Sequence, residues 1–387
     1  MSTDFYGIFS RLPQEDLLFW ERFQKLLAEH LSPIIDNHWN RGTFPHSFIK
    51  PLGHFVQEEL GAEALVFPPK NPLKWRLMKL ELGRVDPSMA SFFAVHMGLT
   101  MGSISLFGSP EQKALWLPSM LGFEKIGSWA LTEPFSGSDV ASGLQTEAIQ
   151  TDDGWLINGH KKWAGNASMA DVIVVWAKEP KSKRMLGFLI EPNMNGVDIE
   201  KINDKIAKRA MENVNISLNN VLVKEDHRLP NVNHFRDINV QLKAGRIAVA
   251  WEALGIAMGA YEAALAYTKS RHQFGRPIAS FQLIQDKLVT MLEEVTCMQA
   301  LLVGLAETER TVDLSSAQAS LAKRACARRS RKVCQLAREV LGGNGILLEH
   351  GIARLFADIE AVYSYEGTDE INTLIVGRAI TGSSSFL

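Results

Sequence analysis

The chain has 387 residues, 46% hydrophobic and 22% charged, with a formal net charge of −2. That length can bury a large core in two or three structural units, and the near-neutral balance argues against nucleic acid or an anionic membrane as a partner. No run of about 18 apolar residues stands out, so no membrane span is expected.

Met1 to Glu21 mixes acids with apolar residues and lacks the basic start and apolar core of a secretory signal. It is also too acidic for a transit peptide. Ser385-Phe386-Leu387 differs from the Ser-Lys-Leu peroxisomal address. The three cysteines, Cys297, Cys326 and Cys334, make no close metal-type pair. A reducing, cytoplasmic location without a metal site is therefore expected.

From Pro13 to about Phe123 apolar residues recur at helical steps, as in Leu17, Leu18, Phe23, Leu26 and Leu27. Prolines 45, 51, 68, 69 and 72 punctuate this stretch. Met89 to Leu106 is largely apolar and predicts a buried helix. From about Gly127 to Val223 the period changes. Trp155 to Ile157, Val172 to Trp176, Leu186 to Ile190 and Val214 to Leu218 read as strands. Asp153-Gly154 and Asn158-Gly159 are hairpin-type dipeptides, and the region predicts a small antiparallel β-domain.

From about Ala244 helical periodicity returns. Ile284, Leu288, Met291, Val295, Met298, Leu302 and Leu305 make one continuous stripe. Leu321 to Leu341 is a further helix whose other face carries Lys323, Arg324, Arg328, Arg329, Arg331 and Lys332. In a chain of balanced charge this row reads as a solvated or salt-bridged face ahead of a phosphate grip.

Four segments carry candidate chemistry. Ala130 to Asp139 leaves a strand for a loop rich in Gly and Ser, which offers free N–H groups and hydroxyls to an anionic or carbonyl-rich ligand. Asn158 to Ala167 delivers Trp163 from a tight turn, either as core packing or as a stacking platform. The third segment is Arg271 to Ile278, followed by Phe281-Gln282, and the fourth is Tyr365 to Asn372. Singly, each has an ordinary reading as turn, core, surface or helix-end charge. Gly342-Gly343-Asn344-Gly345 is by itself a simple helix stop.

Taken together, in this order and spacing, the four segments resemble the acyl-CoA dehydrogenase family over nearly the whole chain. Thr132-Glu133-Pro134 with Gly137-Ser138-Asp139, and Tyr365-Glu366-Gly367-Thr368, are the specific motifs. Gly377 to Gly382 resembles the glutaryl-CoA dehydrogenase branch. Trp163 to Asn166 and Glu225 to Pro230 are similar to the plant short-chain acyl-CoA oxidases of that branch.

The resemblance implies an α+β, mainly α, fold. It has an N-terminal all-helical domain (1–125), a middle antiparallel β-domain (126–235) and a C-terminal four-helix bundle (236–387). It implies FAD as cofactor and a homotetramer built as a dimer of dimers. Leu131, Thr132, Trp163 and Gly165 would line the flavin. Arg271, Gln273 and Phe274 would reach the pyrophosphate and adenine of a neighbouring subunit's FAD. Gln282, Leu341, Gly342, Gly343, Thr368 and Glu370 would complete the dinucleotide site. Ser138 would face both cofactor and the pantetheine of the acyl-CoA substrate.

The resemblance makes Glu366 the catalytic base, removing the α-proton of a thioester while the β-hydride passes to flavin. Arg246 would orient Glu366, and Tyr365 and Gly367 would complete the substrate site. Some relatives place their base near Gly245, which cannot serve. Glutaryl-CoA dehydrogenases hold a distal carboxylate with an arginine and a glutamate, where this chain has Ala90 and Gly83. No cation is then expected to offset burial of a second carboxylate, and a short or medium monoacyl chain is expected. Gly165 replaces a threonine whose hydroxyl meets the flavin in many dehydrogenases. An electron-transfer flavoprotein is the expected acceptor, in fatty acid β-oxidation. Oxygen is the nearest alternative, and a non-catalytic flavoprotein on the same scaffold is a further one.

Overall fold

Several helices begin in the same way. Asn71, Asp86 and Ser109 each accept a hydrogen bond from a backbone N–H in the first turn, and each is followed by proline. The computed structural model describes residues 3–384, so Met1, Ser2 and the Ser385-Phe386-Leu387 terminus lie outside the described residues. The first region is helical: α1 (Gln14–His30), α2 (Ser32–Arg41), α3 (Ile49–Glu59), α4 (Pro72–Val85), α5 (Pro87–Phe93), α6 (Gly102–Phe107) and α7 (Pro110–Leu121). A π-helical stretch, Ala94–Met101, joins α5 to α6, so the expected apolar helix runs unbroken from Pro87 to Phe107. Such wide turns are frequent where a helix borders a functional site.

The middle region has seven strands: β1 (Gly127–Ala130), β2 (Glu147–Thr151), β3 (Gly154–Gly165), β4 (Val172–Lys178), β5 (Met185–Ile190), β6 (Val197–Lys201) and β7 (Asn213–Val223). They are hydrogen-bonded in the order β1-β4-β2-β3-β7-β6, with β5 on β4 and β1 also touching β3. The expectation of a purely antiparallel sheet is corrected, because β1 and β2 both run parallel to β4.

The β2–β3 hairpin closes between Thr151 and Gly154, one residue earlier than the Asp153-Gly154 dipeptide suggests. Asn158-Gly159 makes no hairpin. It sits inside β3 at a register shift against β7, where Gly159 has φ +152. A Cβ there would lie 2.5 Å from Thr146 Oγ1, so glycine is required by close approach.

The last region holds α8 (Asn239–Ser270), a two-residue-strand hairpin of β8 (His272–Gln273) and β9 (Arg276–Pro277), α9 (Gln282–Glu309), α10 (Ser316–Val340), α11 (Ile352–Ser364) and α12 (Asp369–Thr381). Helices α8, α9, α10 and α11 pack on one another, and α12 lies against α10. The predicted α9 stripe is the buried face, with Met291, Val295, Met298 and Leu302 fully covered. Helix α4 joins this core across α8, where glycines permit close approach. A Cβ on Gly255 would meet Leu80 O at 1.8 Å, and one on Gly83 would meet Glu252 O at 2.6 Å.

Two sequence expectations change here. Pro87–Phe107 and Gln282–Glu309 do reach the length and hydropathy of a membrane-crossing helix, although most of the first is buried inside the fold. The basic face of α10 is salt-bridged as read, with Arg328 on Asp369 at 2.5 Å, Arg331 on Glu360 at 2.7 Å, and Arg329 and Lys332 on Glu294. Lys323 does not belong to that face, being only 1% exposed.

Candidate active site

At the end of β1 the chain enters the loop that begins with Leu131 and Thr132. Two charges fix it. Lys161 of β3 donates to Leu131 O (3.1 Å) and to Glu133 Oε1 (2.9 Å). The Glu133 carboxylate also accepts from the backbone N–H groups of Gln145 (2.6 Å) and Thr146 (2.8 Å). Lys162 N–H donates to Thr132 O at 2.8 Å, and Trp129 pairs with Gly165 across β1 and β3. Leu131, Thr132, Trp163 and Gly165 are thereby brought together. Trp163 is held at φ +64 and is 50% exposed, the arrangement of an aromatic face offered to a ligand more than of a core residue. A Cβ on Gly165 would meet Met211 Cε at 2.1 Å and Val95 Cγ2 at 3.4 Å, so Met211 fills the volume a side chain at 165 would take.

The rod from α5 to α6 is buried on most sides but leaves a half-buried row, Ser91, Val95, Gly98 and Leu99. Nothing lies within 4 Å of a Cβ placed on Gly98, so this row borders open space. The start of α8 packs against this rod, where Gln241 Nε2 donates to Gly98 O (3.1 Å) and Leu99 O (2.9 Å), and Leu242, Gly245 and Arg246 that follow are half-buried. The turn between α11 and α12 closes the site. Glu366 has φ +52 and Gly367 φ +84, a sharp reversal that turns the Glu366 side chain toward α8. A Cβ on Gly245 would lie 2.9 Å from Glu366 Oε2, so this glycine gives the carboxylate its room.

Burial raises the Glu366 pKa, which strengthens it as a base, while Arg246, Lys323 and Lys79 pull it down. Burial lowers the Arg246 pKa and Glu366 opposes this; its Nε is buried without a hydrogen-bond partner. Beneath the turn lies an array of buried charge. Lys208 Nζ donates to Ser91 Oγ (2.5 Å), Glu252 Oε1 (2.6 Å) and the Tyr365 hydroxyl (2.6 Å). Tyr365 donates to Glu252 Oε1 (2.8 Å), and Lys79 donates to Glu252 Oε2 (2.6 Å) and Ala90 O (2.8 Å). Burial alone would raise the Glu252 pKa, but the two ammonium groups hold it below the ordinary value. The expectation that no cation stands near Ala90 and Gly83 is therefore corrected. Lys79 and Lys208 are both there, but each is paired with Glu252, and all three Lys208 donors are taken.

Three family models match the chain in order: the acyl-CoA dehydrogenase N-terminal domain over residues 13–124, middle domain over 128–221 and C-terminal domain over 235–381. The chain belongs to the acyl-CoA dehydrogenase family. As a member it is an oxidoreductase of that class. It is 30% identical over 381 residues to the short-chain specific acyl-CoA dehydrogenase of Rattus norvegicus mitochondria, covering 94% of this chain and 90% of the relative. It is 35% identical over 354 residues to the 3-(aryl)acrylate reductase of Clostridium sporogenes, covering 90% and 93%. Its structure superposes with TM-score 0.91 on a glutaryl-CoA dehydrogenase from Mycobacterium smegmatis in complex with FADH2, at 30% identity and 97% coverage of both chains.

The residues of this acyl-CoA dehydrogenase fit a flavin dinucleotide: an exposed Trp163, anchored loop carbonyls at Leu131 and Thr132, and, near Glu366, a buried Arg246 Nε without a hydrogen-bond partner. Glu366, Arg246, Tyr365 and Gly367 gather in one place, with Thr368 capping α12 through Ile371 N–H. Arg271 and Leu341 meet elsewhere, in a cleft of about 640 Å³ shared with Tyr267, Asn344 and His350. Gln273, Phe274 and Gln282 are exposed, as are Ser138, Gly342, Gly343 and Glu370.

Asn158 to Ala167 delivers Trp163 from a bulged strand, which corrects the expected tight turn. Sequence reading missed Lys79, Lys161, Lys208 and Glu252, and placed Lys323 on the solvated face of α10. Glu252 in an otherwise apolar run, Val249 to Met258, was the one visible signal.

Proposed function

We propose that the protein uses FAD to desaturate an acyl-CoA thioester between its α and β carbons, with Glu366 removing the α-proton. The observation that carries this is the Glu366 carboxylate on a positive-φ turn, seated against Gly245 with the Arg246 charge acting on it. FAD supplies the hydride acceptor when bound. Glu366 takes the proton onto a carboxylate oxygen whose basicity is raised by burial. Arg246 offers the charge that orients it. The backbone N–H of Glu366, on the same turn, is a donor for the thioester carbonyl, where charge develops.

A short or medium monoacyl chain is the substrate, because Lys79 and Lys208, the cations beside Ala90 and Gly83, are both already paired with Glu252. The acceptor is an electron-transfer flavoprotein and the setting cytoplasmic β-oxidation. The active form is a homotetramer, a dimer of dimers. Support for assembly comes from the β8–β9 hairpin, whose Phe274 is 92% exposed. One observation favours oxygen as the alternative acceptor: Met211 fills the position of a hydroxyl-bearing side chain at Gly165.

Anaerobic titration of the yellow protein with butyryl-, hexanoyl- and glutaryl-CoA tests the reading. Butyryl- or hexanoyl-CoA should bleach the flavin about a hundredfold faster than glutaryl-CoA. Faster bleaching by glutaryl-CoA would contradict the substrate class. Admission of air then separates the two acceptors, since only an oxidase regains its colour promptly.

A further inference from the structure

Lys323 lies on the buried side of α10, and no step above uses it beyond its charge. Its Nζ donates to Tyr363 O and to Gly367 O, both at 2.9 Å. These carbonyls bracket the turn, one in the last turn of α11 and one just past Glu366. Asn372 Nδ2 shares the Gly367 carbonyl at 2.8 Å. A glutamate at φ +52 is in a strained conformation that persists only where its surroundings enforce it. Lys208 steadies the neighbouring Tyr365 from the other side, through its hydroxyl. Lys323 is the cation that grips the main chain itself.

We propose that Lys323 is a positioning residue for Glu366, clamping the strained turn by both flanking carbonyls and placing a fixed positive charge near the carboxylate. The proposal rests on the reading of Glu366 as the base. The groups facing Glu366 are Arg246 and Glu252 from α8, Lys323 from α10 and Lys79 from α4. Those facing Lys323 are Glu366, Arg246, and Asp369 and Glu370 at the start of α12. Burial brings the Lys323 pKa down to about 8, with the carboxylates opposing, so it carries its charge at neutral pH. Loss of that charge leaves burial less opposed at Glu366, whose pKa then rises. The carboxylate ionises only at higher pH, and the acid limb of the rate profile moves upward.

The test uses FAD-loaded parent, Lys323→Met, Lys323→Gln, Lys323→Arg and Glu366→Gln proteins. Flavin reduction by a monoacyl-CoA is followed from pH 6 to 9, with thermal unfolding and acyl-CoA binding measured alongside. The expected result for Lys323→Met is about a tenfold slower reduction at pH 7, with the acid limb displaced upward by about one pH unit. Lys323→Arg, which keeps the charge, should hold the limb near its parent position. Should the Met variant fail to fold, the Gln variant, which keeps one donor without the charge, should show the same displacement. A loss uniform across pH, or an unmoved limb in both neutral variants, would overturn the proposal while leaving Glu366 as base. A Glu366→Gln protein that reduced its flavin at the parent rate would overturn the base assignment and this inference with it.

Discussion

Two buried clusters each pair lysine with glutamate, one in the sheet and one under the catalytic turn, and they differ in charge balance. In the sheet, Lys161 meets Glu133 one to one, and the carboxylate is further satisfied by two backbone N–H groups. Its partners hold the Glu133 pKa down against the effect of burial, while burial takes Lys161 down to about 8. Under the turn, Lys79 and Lys208 share the single carboxylate of Glu252. The first cluster is neutral and fixes a loop that lines the cofactor side. The second leaves one positive charge in excess, and Lys79 is among the groups that lower the Glu366 pKa. A neutral pair is a staple, whereas an unbalanced set also sets the potential at its neighbour.

Breaking each cluster should expose that difference. Glu252→Gln leaves two buried ammonium groups without a counter-charge and should destabilise most, by about 3–5 kcal/mol in urea unfolding. It should also lower the Glu366 pKa, since Glu252 is a group that raises it. Lys161→Met leaves Glu133 its two N–H partners, so a smaller loss of about 3 kcal/mol is expected, with no displacement of the rate profile. The pH dependence offers a further check on Lys161. Its folded pKa of about 8 lies below the ordinary 10.5, so the unfolded chain binds the proton more tightly between those values. Its titration therefore adds stability as pH rises through that window, and Lys161→Met should flatten the rise.

Tyr365→Phe removes one hydroxyl from the array and should cost about 1.5–3 kcal/mol, the range for hydrogen bonds to charged groups. Arg331→Ala, at the exposed pair with Glu360, should cost less than about 1 kcal/mol. If Arg331→Ala proved as damaging as Glu252→Gln, the distinction between buried and exposed charge drawn here would fail.

The order of helices, sheet and helices was legible because the hydrophobic period changes near Gly127 and again near Ala244. Strand direction was not, since parallel pairing of β1 and β2 with β4 depends on contacts between segments far apart in sequence. Asn158-Gly159 misled for the same reason. The dipeptide is a turn signal locally, but β7 and Thr146 hold it inside a strand. Glu366 and Arg246 were legible through motif likeness. The supporting lysines were not, because a lysine in a helix reads as surface unless its partners are known. Lys79, Lys208 and Lys323 acquire theirs only when α4, α8, α10 and the loop before β7 converge on the turn. Ala90 and Gly83 suggested an uncharged pocket end, and folding brought in Lys79 from α4 itself and Lys208 from the loop before β7.

The most direct test of the account is Glu366→Gln, measured by anaerobic rapid mixing with a monoacyl-CoA. Gln keeps the size and one acceptor oxygen but takes no proton at neutral pH. FAD content, assembly and acyl-CoA affinity should match the parent, and flavin reduction should slow by about 10²–10⁴-fold, the range for a positioned general base. Reduction at near the parent rate, with ligand binding intact, would contradict the assignment of Glu366 as the base.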